Sequence, residues 1–233
     1  EYYKSIIKSK IIPIGSLKNN LIPLKKIKKK KIITYISEFR PIDENSKINF
    51  FNQGEVFWRD TLISDKKLVK QIYFYCKKKN SKFYILGRYN DYRKFKEIDF
   101  YDKIIGKKNF IYVPKKNYLS SYHFLIESKI IFSMSSSIGY EIFSRDNKII
   151  FFSKKINNLK NASKYFNFGW PFLKSKRGFF YSDKITNQEI LRLTRNIIRS
   201  DKKEWINKTK KIRNQLIVYD FNNKIFKDMI KKI

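Results

Sequence analysis

Four short runs constrain the fold most: KFYILG (82–87), NFIYVP (109–114), KIIFSM (129–134) and KIIFFS (148–153). Each is a nearly continuous apolar stretch of strand length. A strand with one face in water alternates apolar and polar residues. A continuous run marks a strand covered on both faces. Between the runs lie stretches with helical spacing. Leu68, Val69, Ile72, Tyr73 and Cys76 share one face over 64–78, and Leu119, Tyr122, Leu125 and Ile126 share one over 117–128. KIITYIS (31–37) opens the series. Strand, helix, strand at this spacing predicts right-handed βαβ crossovers, hence an α/β, Rossmann-like parallel sheet with helices on both faces.

The flanks read differently. GFFYS (178–182) is a further short strand. Ile190, Leu191, Leu193 and Ile197 mark one helix after it, and Trp205, Ile212 and Leu216 the next. DFNNKIFKDMIKKI (220–233) closes the chain, with Asp220 or Asn222 as its N-cap. Upstream, KIIPIGSLKNN (10–20) predicts a strand turning at Gly15-Ser16. PLKKIKKKK (23–31) reads as a solvated linker; a phosphate or lipid-headgroup patch is the alternative. The expected division is 1–31 as a lead-in and 32–233 as the main domain.

The formal net charge is +33, which raises nucleic acid and anionic membranes as partners. Yet Lys far outnumbers Arg, Ala162 is the sole alanine, and Lys, Ile, Asn, Phe and Tyr fill the chain. All five have codons rich in A and T, so much of the charge reflects compositional drift on solvated faces. What remains is a broad positive field that attracts anions. No RRM, KH or helix-turn-helix signature is present, so nucleic acid is not the expected partner. At 42% hydrophobic and 17% aromatic the chain can bury a core. Cys76 stands alone, which excludes a disulfide framework within the chain and a Cys zinc site. No apolar run approaches the roughly 20 residues of a membrane span. No metal-ligand cluster, GxGxxG or P-loop is visible.

FSMSSSIGYEIF (132–143) is the stretch that carries chemistry. In an open parallel sheet, ligands sit beyond the carboxyl ends of the strands. KIIFSM ends at such a point, and SSSIGYE then opens a helix. A helix N-terminus presents unpaired N–H groups and positive dipole charge, which suits an anion. Ser135, Ser136 and Ser137 leave room there and add hydroxyl donors. Gly139 permits close approach of a ligand or a strand. Glu141 follows Ser137 by about one turn and can accept hydrogen bonds from the vicinal hydroxyls of a ribose. The simpler reading is a capping box, with one Ser and one Glu closing the helix end.

Other strand ends add candidates. Ser37 and Arg40 in SEFR (37–40) follow the first strand, and Arg88 in GRYND (87–91) follows the second. Arg grips phosphate bidentately; a surface charge is the alternative for both arginines. GEVFWRD (54–60) reads as a mobile loop holding Glu55, Trp58 and Arg59, where Trp58 stacks on a ligand or simply packs. His123, inside a helix, fits a structural or surface role better than catalysis. FNFGWPF (166–172) fits a packed turn better than a loop over the cleft.

ESKIIFSMSSSIGYEIFSRDNKIIFFS (127–153) resembles the donor-binding βαβ unit of GT-B glycosyltransferases. The succession IPIGSLKNN, ITYISEFRP, FYILGRYND, SSSIGYE and VYDFNNKIFKDMI is similar to the bacterial transferases of surface-carbohydrate (O-antigen or capsule) biosynthesis, over nearly the whole chain. The resemblance implies a carboxyl-terminal, nucleotide-sugar-binding half of a GT-B enzyme. Ser135, Ser136, Ser137, Gly139, Glu141, Arg88, Ser37 and Arg40 would then bind the donor. It implies that 1–31 ends an amino-terminal domain and connects to this one, so a chain beginning at Glu1 would be a fragment. The catalytic base would come from that other half. No cofactor or bound metal is implied beyond the nucleotide-sugar substrate. A glycan or lipid-linked acceptor, a cytoplasmic location and peripheral contact with the inner leaflet follow as expectations. Two alternatives stay open: a non-catalytic basic nucleic-acid module, and a nucleotide-sugar epimerase of GT-B shape.

Overall fold

The computed structural model describes residues 12–24, 29–49, 54–156, 159 and 164–231. After a one-turn helix α1 (Leu17–Asn20), strand β1 (Lys30–Ile36) enters the core. A hairpin of β2 (Lys47–Asn49) and β3 (Glu55–Phe57) leads into the long helix α2 (Trp58–Lys78). Then β4 (Phe83–Leu86), α3 (Arg93–Ile105), β5 (Ile111–Val113), α4 (Ser120–Glu127), β6 (Ser128–Ser133), α5 (Ser137–Ser144) and β7 (Ile149–Phe152) follow. A 3-10 turn at Lys164–Phe166 precedes β8 (Tyr181–Ser182), α6 (Asn187–Arg199), α7 (Lys202–Leu216), a second 3-10 turn and α8 (Lys224–Ile230).

The main sheet has six strands in the order β5-β4-β1-β6-β7-β8, and its adjacent strands pair in parallel. The chain steps outward from β1 to β4 and β5. It then returns to the other side of β1 with β6 and steps outward again. The order therefore reverses between β1 and β6, the switch point at which open parallel sheets hold ligands. The run 148–153 becomes a doubly covered strand as expected, with all of Ile149 to Phe152 buried, whereas NFIYVP forms the edge strand β5 and leaves Ile111 exposed. Phe143, Phe151, Phe168, Phe180 and Trp205 pack as an aromatic cluster under that half of the sheet.

Several local expectations change. Residues 12–16 form no strand; Pro13 lacks a donor, and Ser16 caps α1 through the Asn19 N–H. Gly15 turns the chain at φ +70, and a Cβ there would stand 2.3 Å from the Val218 carbonyl oxygen. Residues 54–60 are not a mobile loop. They are the second hairpin strand and the first turn of α2, and Trp58 is buried by packing. Asp220 accepts from the Ile225 N–H at 2.8 Å, whereas Asn222 lies in the left-handed region inside the closing turn. Of the basic stretch 23–31, residues 25–28 lie outside the described residues, as do 10 and 11 of the upstream run.

Residues 16–24 dock onto the carboxyl-terminal segment. The Asn20 amide donates to Asn223 Oδ1 at 2.9 Å, and its Oδ1 accepts from the Asp220 N–H at 2.9 Å. Arg145 donates to the carbonyls of Asn19, Ile22 and Pro23. Among the described residues, no helix is long and apolar enough to cross a membrane.

Candidate functional site

The carboxyl ends of β1, β4, β6 and β7 deliver residues 37–40, 87–89, 133–137 and 153–155 to one edge of the sheet. Side-chain alternation splits SEFR. Ser37 continues β1, its N–H bonding the Leu86 carbonyl at 3.1 Å, and its side chain turns inward. The next residue, Glu38, therefore turns to the opposite face, where it meets Ser135 beyond the end of β6.

Ser37 is a correction. It is 1% exposed, donates to Glu97, and lies 2.8 Å from the Tyr101 hydroxyl. Glu97, buried on α3, is the hub of that network. It accepts from Tyr112 Oη at 2.6 Å and from the Arg88 N–H at 3.1 Å. Burial pushes the Glu97 carboxyl up, while the Ser37, Tyr112 and backbone donors pull it down. Gly87 makes the network possible, because a Cβ there would sit 2.1 Å from Tyr112 Oη. Ser37 thus fastens the loops after β1 and β4 instead of contacting a ligand.

The three serines divide. The Ser135 N–H and Oγ donate to Glu38, at 3.1 and 2.8 Å, which ties the β1 end to the β6 end across the switch point. Ser136 is the N-cap of α5 and makes no side-chain cap hydrogen bond. Glu141 is the fifth helical residue, too far along for a capping box, so that reading does not hold. Ser136 is half-buried and Ser137 exposed at the helix mouth, and the first amides of α5 have no intrahelical acceptor. Gly139 serves the strand, not a ligand: it is buried, and a Cβ there would stand 2.4 Å from Ser133 Oγ. That near-contact lets α5 lie close on the sheet with its N-terminus at the crevice. Glu141 is half-buried beside α4, where its Oε2 accepts from Tyr122 Oη.

Arg40 and Arg88 are both exposed at this edge. They act on Lys154, which sequence reading missed. Lys154 follows β7, is 5% exposed, and stands over the Trp58 ring at 5.8 Å and the Phe166 ring at 5.9 Å. Burial lowers the Lys154 pKa, Glu38 and Asp65 raise it, and Arg40 and Arg88 lower it again. Lys154 therefore lies within electrostatic reach of the buried Glu38 and of the exposed Arg40 and Arg88. The strand-end rule applied to β1, β4 and β6 would have found Lys154 had it been applied to β7. His123 is exposed on α4, and FNFGWPF is a packed turn in which Phe168 stacks on Tyr140 at 5.6 Å. Among the described residues, no group of three His, Cys, Asp and Glu side chains gathers as a metal site would.

Behind the crevice, Asp65 on α2 accepts from Tyr35 Oη and is fully buried. Burial pushes its carboxyl up to about 7, with Glu38 and Glu97 adding to the rise, against the Tyr35 hydrogen bond and Lys154. The unfolded chain releases this proton near pH 4, and the folded chain holds it to about 7. Between those values the native state carries a proton the unfolded state lacks, so stability on this account falls as pH rises. Urea midpoints at pH 5 and pH 8 should differ less in Asp65→Asn than in the unchanged chain. An equal difference in both would show that Asp65 does not titrate this way.

A six-stranded parallel sheet with helices on its faces, its strand order reversing between β1 and β6, has the Rossmann-like architecture of a GT-B domain. One family model matches the chain over residues 1–233, and its description is "putative O-antigen biosynthesis protein". The chain belongs to that family. No match was found among the curated proteins. Among solved structures, it is similar to the Methanocaldococcus jannaschii UDP-GlcNAc 2-epimerase in complex with UDP-GlcNAc and UDP, at 9% identity and TM-score 0.54, over 100% of this chain and 57% of that one. It is also similar to the wall teichoic acid polymerase TagF (H444N, with CDPG), at 15% identity and TM-score 0.50, over 99% of this chain and 53% of that one. The chain thus spans little more than half the length of either.

Proposed function

We propose that this chain is the donor-binding half of a glycosyltransferase that moves a sugar from a nucleotide-sugar donor to a surface polysaccharide or lipid-linked glycan. The observation that carries the reading is the convergence of Arg40, Arg88 and Lys154 with the open N-terminus of α5 at the switch point. The family description and the nucleotide-bearing neighbours support it. A diphosphate at the α5 mouth would meet the first helix amides, the Ser136 and Ser137 hydroxyls and the cations. When the sugar–oxygen bond to the leaving diphosphate breaks, negative charge grows on that oxygen, and these fixed donors stabilise it. Glu38 holds Ser135 in register and balances Lys154. Glu141, with Oε2 on Tyr122, has Oε1 to offer a ribose hydroxyl.

Residues 1–31 would lead in from an amino-terminal domain that supplies the base for the acceptor hydroxyl. The working place would be the cytoplasmic side of the membrane, where the positive surface favours an anionic leaflet. Calorimetric titration with UDP tests the ribose contact. Glu141→Ala should weaken binding by about 1.5–3 kcal/mol, the range for hydrogen bonds to a charged group. Unchanged affinity would overturn the contact. The epimerase reading uses the same crevice, and product analysis with the complete protein separates isomerisation from transfer.

A further inference from the structure

A cavity lies at the opposite end of the sheet from the crevice. Its volume is about 700 Å³, and it opens beside the amino-terminal ends of β1, β6 and β7. Its wall holds five lysines (Lys29, Lys31, Lys129, Lys148 and Lys202) together with Arg145, over a floor that includes Leu24, Ile126 and Trp205. One acid, Asp146, shares that wall, and it is already paired with Arg213.

Among the described residues, the innermost cations have no carboxylate partner. Lys29 Nζ donates to the Ile126 carbonyl and Asn147 Oδ1. Arg145, 6% exposed, spends its terminal nitrogens on three backbone carbonyls, and its buried Nε has no hydrogen-bond partner. Lys148 Nζ donates to the carbonyls of Ile197 and Ser200; Asp201 and Glu204 stand near enough to influence it, with no ion pair formed. Carbonyl dipoles compensate part of a charge, not all of it. The Lys29 ammonium is accordingly pushed down to about 8, first by burial and then by Arg145 and Lys148. The Trp205 indole N–H, also at this wall, is buried without an acceptor. Lys31, Lys129 and Lys202 then add exposed charge around the mouth.

Gathering like charges about a concave, low-dielectric surface is unfavourable unless a counter-charge enters. We infer that this cavity is a second anion site, distinct from the switch-point crevice, that takes a phosphate group. The apolar floor below the cationic rim suits a phosphate carried on a lipid headgroup as well as a free one. The inference does not rest on the donor-binding reading, because it uses none of the crevice residues.

The indoles report the two ends separately: Trp58 stands at the crevice and Trp205 at the cavity. In protein labelled with 5-fluorotryptophan, each resonance is assigned by its Trp→Phe variant. Inorganic pyrophosphate, vesicles of phosphatidylglycerol in phosphatidylcholine, and pure phosphatidylcholine vesicles are titrated in separate arms. The Trp205 resonance should shift saturably with pyrophosphate or with the anionic vesicles, and not with phosphatidylcholine alone. A response to pyrophosphate identifies a soluble phosphate; one confined to the anionic vesicles identifies a headgroup. Lys129→Glu with Lys202→Glu, both at the exposed rim, should weaken the Trp205 response at least tenfold while the Trp58 resonance of the free protein stays in place. Lys31→Glu serves as an independent rim variant if that pair fails to fold. No Trp205 shift with either anion, or a shift of equal affinity in the folded rim variants, overturns the inference.

Discussion

Replacing Glu97 with Ala should destabilise the chain by about 3–5 kcal/mol. The carboxylate serves the Ser37 and Tyr112 hydroxyls and the Arg88 N–H, all in a buried or half-buried setting. Leaving buried donors without an acceptor costs about 1–3 kcal/mol apiece, more where the lost partner was charged. Glu97→Gln keeps one acceptor oxygen and should lose roughly half as much. Because the network fastens the loops after β1 and β4, folded Glu97→Gln protein should also bind nucleotide more weakly. Urea denaturation and UDP titration check both statements. A loss under about 1 kcal/mol in Glu97→Ala would mean that the two loops are held by something else.

Arg88→Ala combined with Lys154→Ala should abolish most donor affinity. Each hydrogen bond to a charged group is worth about 1.5–3 kcal/mol, so two losses correspond to a drop of two to four powers of ten. The two should separate by chemistry. Affinity for UDP should collapse, whereas the weak binding of uridine, which has no phosphate, should change little. Lys154 also lies against Trp58 and near Asp65, so Lys154→Met, which keeps the apolar stem, is the control for folding. Equal loss for UDP and uridine would place these residues in folding and not in phosphate recognition.

The inner strands of the main sheet were readable because both sheet faces are covered there, which turns them into continuous apolar runs. The run 149–152 stood out for that reason. Helix α3 was not readable. One of its core positions is occupied by Glu97, so a carboxylate interrupts the apolar stripe of Phe100, Tyr101 and Ile105. The hairpin of β2 and β3 was hidden too, since three-residue strands carry too little pattern to register. At the site, the position of the serines after a buried strand was legible, but not their separate duties. Ser135 answers to Glu38, a residue 97 positions away. Ser37 and Gly139 looked like ligand contacts because they lie at strand and helix ends. Only the side-chain directions reveal one fastening loops and the other making room for Ser133. Lys154 was hidden by composition: in a chain with 53 Lys and Arg, no single lysine stands out until burial singles it out.

The most telling measurement is backbone and side-chain NMR of the labelled chain titrated with a nucleoside diphosphate. The amides of Ser136, Ser137 and Ile138 should move first and furthest, with the Arg88 guanidinium and Lys154 ammonium signals following the same saturation curve. Perturbation that leaves the start of α5 unmoved, or that gathers only around Lys29 and Lys148, would contradict a diphosphate seat at the switch point and remove the basis for the transferase reading.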